Sequence, residues 1–342
     1  MSESDSESDV GLIRAWAPGR VNLMGDHTDY VGGLALPMAI HLGTTVSGRR
    51  TEDRVHLVSE GHEGSVDLRV GEPVAPDALP TWGRYVAAVV DEVGPMRGVD
   101  GVVSTTLPIG AGLSSSAALE VAVAMAVGSP LDRLDLALAC QRAEHAASGV
   151  PCGLMDQLTS ICGVEGHALL VDFRSRSYDL VRVPESIDIV VIHSGQAREL
   201  AGSGYADRRA EVAEAERHIG PLRDAELGDL DSIPDPAARA RARHVGPENA
   251  RVLAFAAALA AEDLTRAGAI MAESHASNRD DFEASTPIVD ALVERLVATP
   301  GVFGARLVGG GFGGCVVTLT QRGALAEGWK VRAAGGASVA LA

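Results

Sequence analysis

Arg20, Asp26, His27, Thr28 and Asp29 crowd into one turn-rich stretch, Ala17-Pro18-Gly19-Arg20-Val21-Asn22-Leu23-Met24-Gly25-Asp26-His27-Thr28-Asp29-Tyr30, which Gly32-Gly33 follows. A cation, carboxylates, an imidazole and several hydroxyl and amide groups in one loop suit a polyhydroxylated ligand. Each of its hydroxyls must keep a hydrogen-bond partner once buried. A solvated polar loop has the same composition, and composition alone does not separate the two. The interleaved Val21, Leu23 and Met24 argue for a loop pinned to the core.

A second stretch, Pro108-Ile109-Gly110-Ala111-Gly112-Leu113-Ser114-Ser115-Ser116-Ala117-Ala118, leads from an apolar strand straight into an apolar helix. Backbone N–H groups at a helix start, together with the helix dipole, make an anion site. Glycines let phosphate oxygens approach the backbone, and serine hydroxyls can donate to phosphate or ligate Mg²⁺. The same serines also suit plain helix capping. A third run, Val308-Gly309-Gly310-Gly311-Phe312-Gly313-Gly314-Cys315, reads as a tight strand connection needing positive φ. Its functional alternative is a backbone wall close to a ligand.

Two further carboxylates stand out. Asp156, in Gly149-Val150-Pro151-Cys152-Gly153-Leu154-Met155-Asp156-Gln157, has Leu154, Met155 and Leu158 around it, which predicts poor solvation and a shifted pKa. A lone aspartate opening a helix is also a common cap. Glu144, on the preceding helical segment, reads equally as a surface charge.

The elements that must position these groups follow from periodicity. Ile13–Ala17, Leu42–Ser47, Val55–Val58 and Val102–Leu107 read as strands, with a helix over Thr81–Val93 between the last two. Ser114–Val127 is a helix apolar nearly all round, and Leu131–Ala147 is another. Ala168–Phe173 and Ile187–Ile192 are short strands, and Ala206–His218 is an amphipathic helix. Leu227–Arg243, polar and proline-marked, reads as surface loop, after which Pro247 suits the first turn of a helix over Glu248–Ala261. Pro287–Ala298 is helical, and Gly304–Leu307 and Cys315–Thr320 are strands around the glycine turn. The expected architecture is α+β in two domains with a cleft between them. An acidic, disordered N-terminus (residues 1–9) precedes an N-terminal domain over 10–180 and a C-terminal domain over 181–342.

Composition excludes several classes. The 342 residues are 46% hydrophobic and 22% charged, with a formal net charge of −17 spread along the chain. Such a surface repels phosphate backbones, so nucleic acid is not an expected partner. Lys330 is the single lysine, so a G-x-x-x-x-G-K-[ST] phosphate loop and a kinase strand lysine are both absent. Cys140, Cys152, Cys162 and Cys315 form no C-x-x-C pair and no zinc spacing, and read as reduced, mostly buried thiols. The polar N-terminus is unlike a signal peptide, and the longest apolar stretch, Ala117–Val127, is too short to span a bilayer. A cytoplasmic protein with no membrane partner is expected.

Taken together, the three glycine-marked segments resemble those of the galactokinases, members of the GHMP small-molecule kinase superfamily. Arg20–Gly33 matches the galactokinase signature, Gly110–Ala117 the phosphate loop and Gly304–Cys315 the third family motif. The resemblance extends through Trp82-Gly83-Arg84-Tyr85-Val86, Val171-Asp172-Phe173-Arg174, Tyr205 with Arg208-Arg209, and Ser274-His275-Ala276-Ser277, and covers the chain from about residue 14 to 320.

The resemblance implies a GHMP kinase fold with the active site in the interdomain cleft. It implies transfer of the γ-phosphate of MgATP to the 1-hydroxyl of D-galactose. Asp156 would face that hydroxyl with Arg20 as its cationic neighbour. Asp26, His27, Thr28 and Asp29 would bind sugar hydroxyls under Tyr205. Gly110, Ala111, Gly112, Leu113, Ser114, Ser115 and Ser116 would cradle the ATP phosphates, with Ser116 and Glu144 arranging Mg²⁺ and Trp82 near the adenine. Aspartate at position 26 replaces the glutamate usual in the family, which bears on sugar choice. A sister kinase for arabinose or an N-acetylhexosamine, or a sugar and ATP sensor without turnover, are the alternatives. A monomer is expected, with the sugar and ATP as its small-molecule partners.

Overall fold

The computed structural model describes residues 11–72, 74–94, 97–108, 110–196 and 204–341. The acidic N-terminus and Ile109 of the second glycine segment lie outside the described residues.

The first half opens with β1 (Leu12–Asn22), β2 (Leu34–Ala35), β3 (Pro37–Thr51), β4 (Arg54–Ser59) and β5 (Ser65–Arg69). Then come α1 (Thr81–Val93), β6 (Gly98–Thr105), α2 (Ser115–Ala126), α3 (Arg133–Ser148) and α4 (Met155–Cys162). The hairpin of β7 (His167–Asp172) and β8 (Ser177–Arg182) leads to β9 (Ile187–His193). The second half continues with α5 (Gly204–Ile219), α6 (Pro236–Ala260), α7 (Leu264–Ser277), α8 (Pro287–Val297), β10 (Val302–Val308), β11 (Cys315–Gln321), β12 (Trp329–Val331) and β13 (Ser338–Leu341).

Among the described residues the strands form three sheets, in the orders β13-β1-β3-β6-β4-β5, β10-β11-β9-β12 and β2-β7-β8. Among the described residues only β4 and β6 pair in parallel. The chain's last strand, β13, returns to the edge of the first sheet beside β1. The helices α1 to α4 cover one face of that sheet, and Val121, Val123, Val86, Val89 and Leu158 close the core there. A second core joins the two halves: Val21, Met24, Leu36 and Leu113 pack with Val252, Phe255, Ile270 and Val308. No helix among the described residues is long and apolar enough to cross a membrane.

Two expectations fail in the same place. Leu227–Arg243 is not a surface loop: a short 3₁₀ turn over Leu227–Ser232 is followed by the 25-residue α6, capped by the Asp235 carboxylate on the Ala237 amide. One of its arginines is used inside. Arg241 is 3% exposed and reaches Glu211, Glu283 and the Asp281 carbonyl. Pro247 therefore lies in the helix interior rather than its first turn. The lost backbone hydrogen bond is tolerated because packing on both sides holds the helix, and Asn249 donates to the Val245 and Gly246 carbonyls beside the proline.

Candidate active site

The site begins where β1 passes under the second glycine segment. A side chain at Gly19 would strike the Leu113 carbonyl. Without one, the loop lies directly on the strand, and the Arg20 amide donates to Leu113 O at 3.1 Å. The Arg20 guanidinium donates from Nη1 to Gly112 O at 2.9 Å and forks onto Asp156, Nε to Oδ1 and Nη2 to Oδ2, at 2.6 Å each. Ser114 Oγ donates to Asp156 Oδ2 at 2.5 Å. Ser114 adopts φ 59, and its hydroxyl caps no helix amide. Left-handed backbone at a serine costs on the order of 1 kcal/mol, and here it turns the hydroxyl onto Asp156.

Asp156 is the second residue of α4, whose cap position is held by Leu154, so it is not a helix cap. Leu154, Met155 and Leu158 are buried, yet the Asp156 side chain is 24% exposed. Its surroundings are a guanidinium and a hydroxyl rather than the apolar neighbours that adjacency in sequence suggests. A carboxylate held this way can orient a substrate hydroxyl and accept its proton.

Glu144 is drawn inward from α3. Its Oε1 accepts from Ser116 Oγ at 2.8 Å and its Oε2 from Gln157 Nε2 at 2.6 Å. Gln157 Nε2 also reaches Glu120 Oε2 at 3.0 Å. Burial pushes both carboxyls up, Glu120 far above the usual range, with the neighbouring acidic groups adding to it. Glu120 and Gln157 had no assigned part in the sequence reading. The signal was present, because Glu120 is the charge that breaks the apolar run of α2. No group of three or more His, Cys, Asp or Glu side chains among the described residues could hold a metal unaided.

Arg20, Ser114, Ser116, Glu144 and Asp156 line a cavity of about 750 Å³ together with Gly110, Gly112, Ser115, Gly309 and Gly310. The N-terminus of α2 opens onto it, so unpaired amides and the helix dipole favour an anion there. The cavity lining also takes in Asp26, His27, Asp29 and Tyr205. His27, at φ 66, stacks on Phe282 at 4.0 Å between ring centroids. Asp29 accepts from the Met155 amide and is pushed up to about 6, first by burial and then by the charge of Asp156. Gly153 leaves room for Asp29, since a Cβ there would collide with its carboxylate.

One expected side-chain contact is not made. Thr28 is fully buried, and its hydroxyl bonds the Gly25 and Leu34 carbonyls at 3.0 and 2.7 Å, so it shapes the loop rather than the cavity. Ala111 and Leu113 turn into the core and do not line the cavity. Trp82 lies beside a second space of about 550 Å³ that shares Thr81, Tyr85, Ser115 and Ser116 with the first. The third glycine run is both things the sequence allowed. It connects β10 to β11 with positive φ at Gly309, Gly311, Phe312, Gly313 and Gly314, and Gly309 and Gly310 form cavity wall.

Known proteins share this fold. The galactokinase galactose-binding signature matches residues 6–50, the GHMP kinases N terminal domain residues 83–164, and the GHMP kinases C terminal domain residues 255–331. The galactokinase of Lactococcus lactis, solved in complex with galactose, superposes with a TM-score of 0.87 at 30% identity, covering 96% of this chain and 95% of that one. The fold extends to the Methanococcus jannaschii mevalonate kinase (TM-score 0.60, 20% identity, 92% of each chain). It also extends to the homoserine kinase of Cytophaga hutchinsonii (TM-score 0.52, 18% identity, 100% of this chain and 96% of that one). With the full length and the galactose signature matched around an intact cavity, the chain belongs to the galactokinase family of GHMP kinases and is an ATP-dependent sugar kinase.

Proposed function

We propose that the protein transfers the γ-phosphate of ATP to the 1-hydroxyl of D-galactose, giving galactose 1-phosphate and ADP. The observation that carries this reading is the joining of the Asp156–Arg20 pair and the Ser116–Glu144 pair in one cavity that the galactose-signature residues Asp26, His27 and Asp29 also line. Phosphoryl transfer needs little covalent help from a protein, so catalysis here is positioning and charge stabilisation.

In this reading Asp156, oriented by Arg20 and Ser114, holds the anomeric hydroxyl in line and takes its proton. Arg20 stabilises charge on the group in flight. The amides of Gly110 to Ser116 at the head of α2 carry the phosphates, and the space beside Trp82 takes the base. Asp29, His27 and Tyr205 bind sugar hydroxyls, with Asp26 behind them. Ser116 Oγ and Glu144 Oε1, 2.8 Å apart on the cavity wall, fit Mg²⁺, which is bound through one or two protein oxygens plus substrate phosphates. When bound it supplies charge neutralisation between the phosphates.

Residues 10–180 and 181–342 would then form the two domains flanking the substrates, with β13 returned to the first. A monomer is proposed, with the sugar and ATP as its small-molecule partners. The cytoplasm, where thiols stay reduced, is the expected compartment for the free cysteines 140, 152, 162 and 315.

ADP release measured against a panel of galactose, glucose, arabinose and N-acetylhexosamines tests the reading. Galactose should give the highest kcat/KM, and the product should be the 1-phosphate. A much faster reaction with another sugar would replace galactose as substrate, and ATP and sugar binding without turnover would make the protein a sensor.

A further inference from the structure

Arg306 is the largest side chain to be buried completely, at 0% exposure in the middle of β10. A guanidinium sealed from water must find its partners inside the protein. Its Nη2 donates to Asp26 Oδ2 at 2.6 Å and lies 3.9 Å from Glu248 Oε1. The other oxygen of Asp26 accepts from Asn22 Nδ2 at 2.8 Å. Glu248, from α6, is equally sealed. Its Oε1 accepts from the Gly25 amide at 3.2 Å and from Ser274 Oγ of α7 at 2.7 Å, while Oε2 accepts from Arg251 Nε at 2.6 Å. The loop is thus gripped at two consecutive residues, the Gly25 backbone and the Asp26 side chain. Both grips come from elements more than two hundred residues later in the chain. His27 and Asp29, which line the cavity, follow directly.

We infer that Arg306 and Glu248 are positioning residues for sugar recognition. They hold Asp26 as a strut whose two oxygens are already engaged, and the strut presents His27 and Asp29 to the ligand. This rests on the reading of the cavity as a sugar kinase site. On this account the shorter aspartate at position 26 matters through its fit to Arg306 more than through a hydroxyl contact. The third glycine motif contributes more than a wall, since the strand leading into it carries the cation that aims the first motif.

The test compares sugar and nucleotide constants in Arg306→Lys, which keeps a buried cation but loses the planar fork. Galactose Kd by calorimetry and KM should rise by about tenfold or more, because a loop displaced by a fraction of an ångström loses aligned hydrogen bonds. The KM for ATP should stay within about twofold. Placing Arg306→Lys in an Asp26→Asn background should add little further loss of galactose affinity, because both changes act through one contact. Should Arg306→Lys fail to fold, as judged by thermal melting, Glu248→Gln takes its place with the same expected split. Equal shifts in the sugar and ATP constants, no shift in either, or full additivity with Asp26→Asn would overturn the inference. Wild-type protein that does not bind galactose would instead overturn the substrate assignment, and the wild-type titration shows this before any variant is made.

Discussion

Two arginine–aspartate pairs, each closed at 2.6 Å between residues far apart in sequence, do different things in this molecule. Arg20–Asp156 leaves the carboxylate side chain 24% exposed on the cavity, while Arg306–Asp26 is sealed at 0% and 1%. Each aspartate also has a neutral partner, Ser114 for Asp156 and Asn22 for Asp26. The difference lies in access. A carboxylate with one open face can take a substrate hydroxyl, whereas one almost wholly sealed from solvent is held by its protein partners and serves to fix geometry. A sealed charge depends on its partner for its whole solvation, so removing that partner costs far more than the pair contributed. The same two residue types therefore become chemistry or architecture according to what surrounds them.

That contrast can be broken in several ways. The largest effect should come from weakening the support of the sealed cation: Asp26→Leu removes the carboxylate hydrogen-bonded to the buried Arg306 and should lower stability by about 3–5 kcal/mol in urea denaturation. A loss under about 1 kcal/mol would mean that water reaches the pair. Asp156→Asn attacks the open pair. It should lower kcat by at least ~10², about 2.7 kcal/mol of barrier, with a denaturation midpoint close to that of the native protein and ATP still bound. Retention of more than about a tenth of the turnover would make Asp156 structural as well.

Smaller changes sharpen the picture. Ser116→Ala removes one of the two proposed Mg²⁺ ligands and should raise the half-saturating Mg²⁺ concentration several-fold. An unchanged titration would leave Ser116 Oγ as no more than a support for Glu144. Asp29 supplies a pH test. Its carboxyl, with an ordinary value of 3.8, is pushed up to about 6 by burial and then by Asp156, so it is protonated below about 6 and a full acceptor above. Galactose affinity should therefore improve as pH rises from 5 to 7, by up to about tenfold, and Asp29→Asn should flatten the profile. The same raised value works against folding. This group's stabilising contribution is complete below the unfolded value near 3.8 and is lost as pH climbs through about 6. The smallest effect is expected for Asp26→Glu, which keeps the charge facing Arg306 and should change kcat/KM for galactose by less than about tenfold. A native preference for another sugar, reversed to galactose by this substitution, would make position 26 a specificity switch.

Residue types and spacing determined the motifs, the strand that feeds the second glycine segment and the helices flanking it. These depend on local periodicity and on glycine placement, both written directly in the chain. Thr81–Val93 and the apolar helix after Ser114 were readable for that reason. The pairing of Ser116 with Glu144, and of Arg20 with Asp156, became readable only through resemblance, since the partners are 28 and 136 residues apart.

Tertiary structure decided the rest. Pro247 and the arginines around it signal a loop to any local rule, and α6 persists because the buried Arg241, paired with Glu211 and Glu283, and packing on both faces outweigh one lost hydrogen bond. Thr28 looked like a ligand group, but the turn consumed its hydroxyl. Arg306 gave no local sign of importance, because its partner lies 280 residues away and its burial is a property of three packed elements together. Local sequence can state which charges a chain owns. Only the packed chain settles which of them face water, which face a substrate and which face each other, because solvation is determined by neighbours in space.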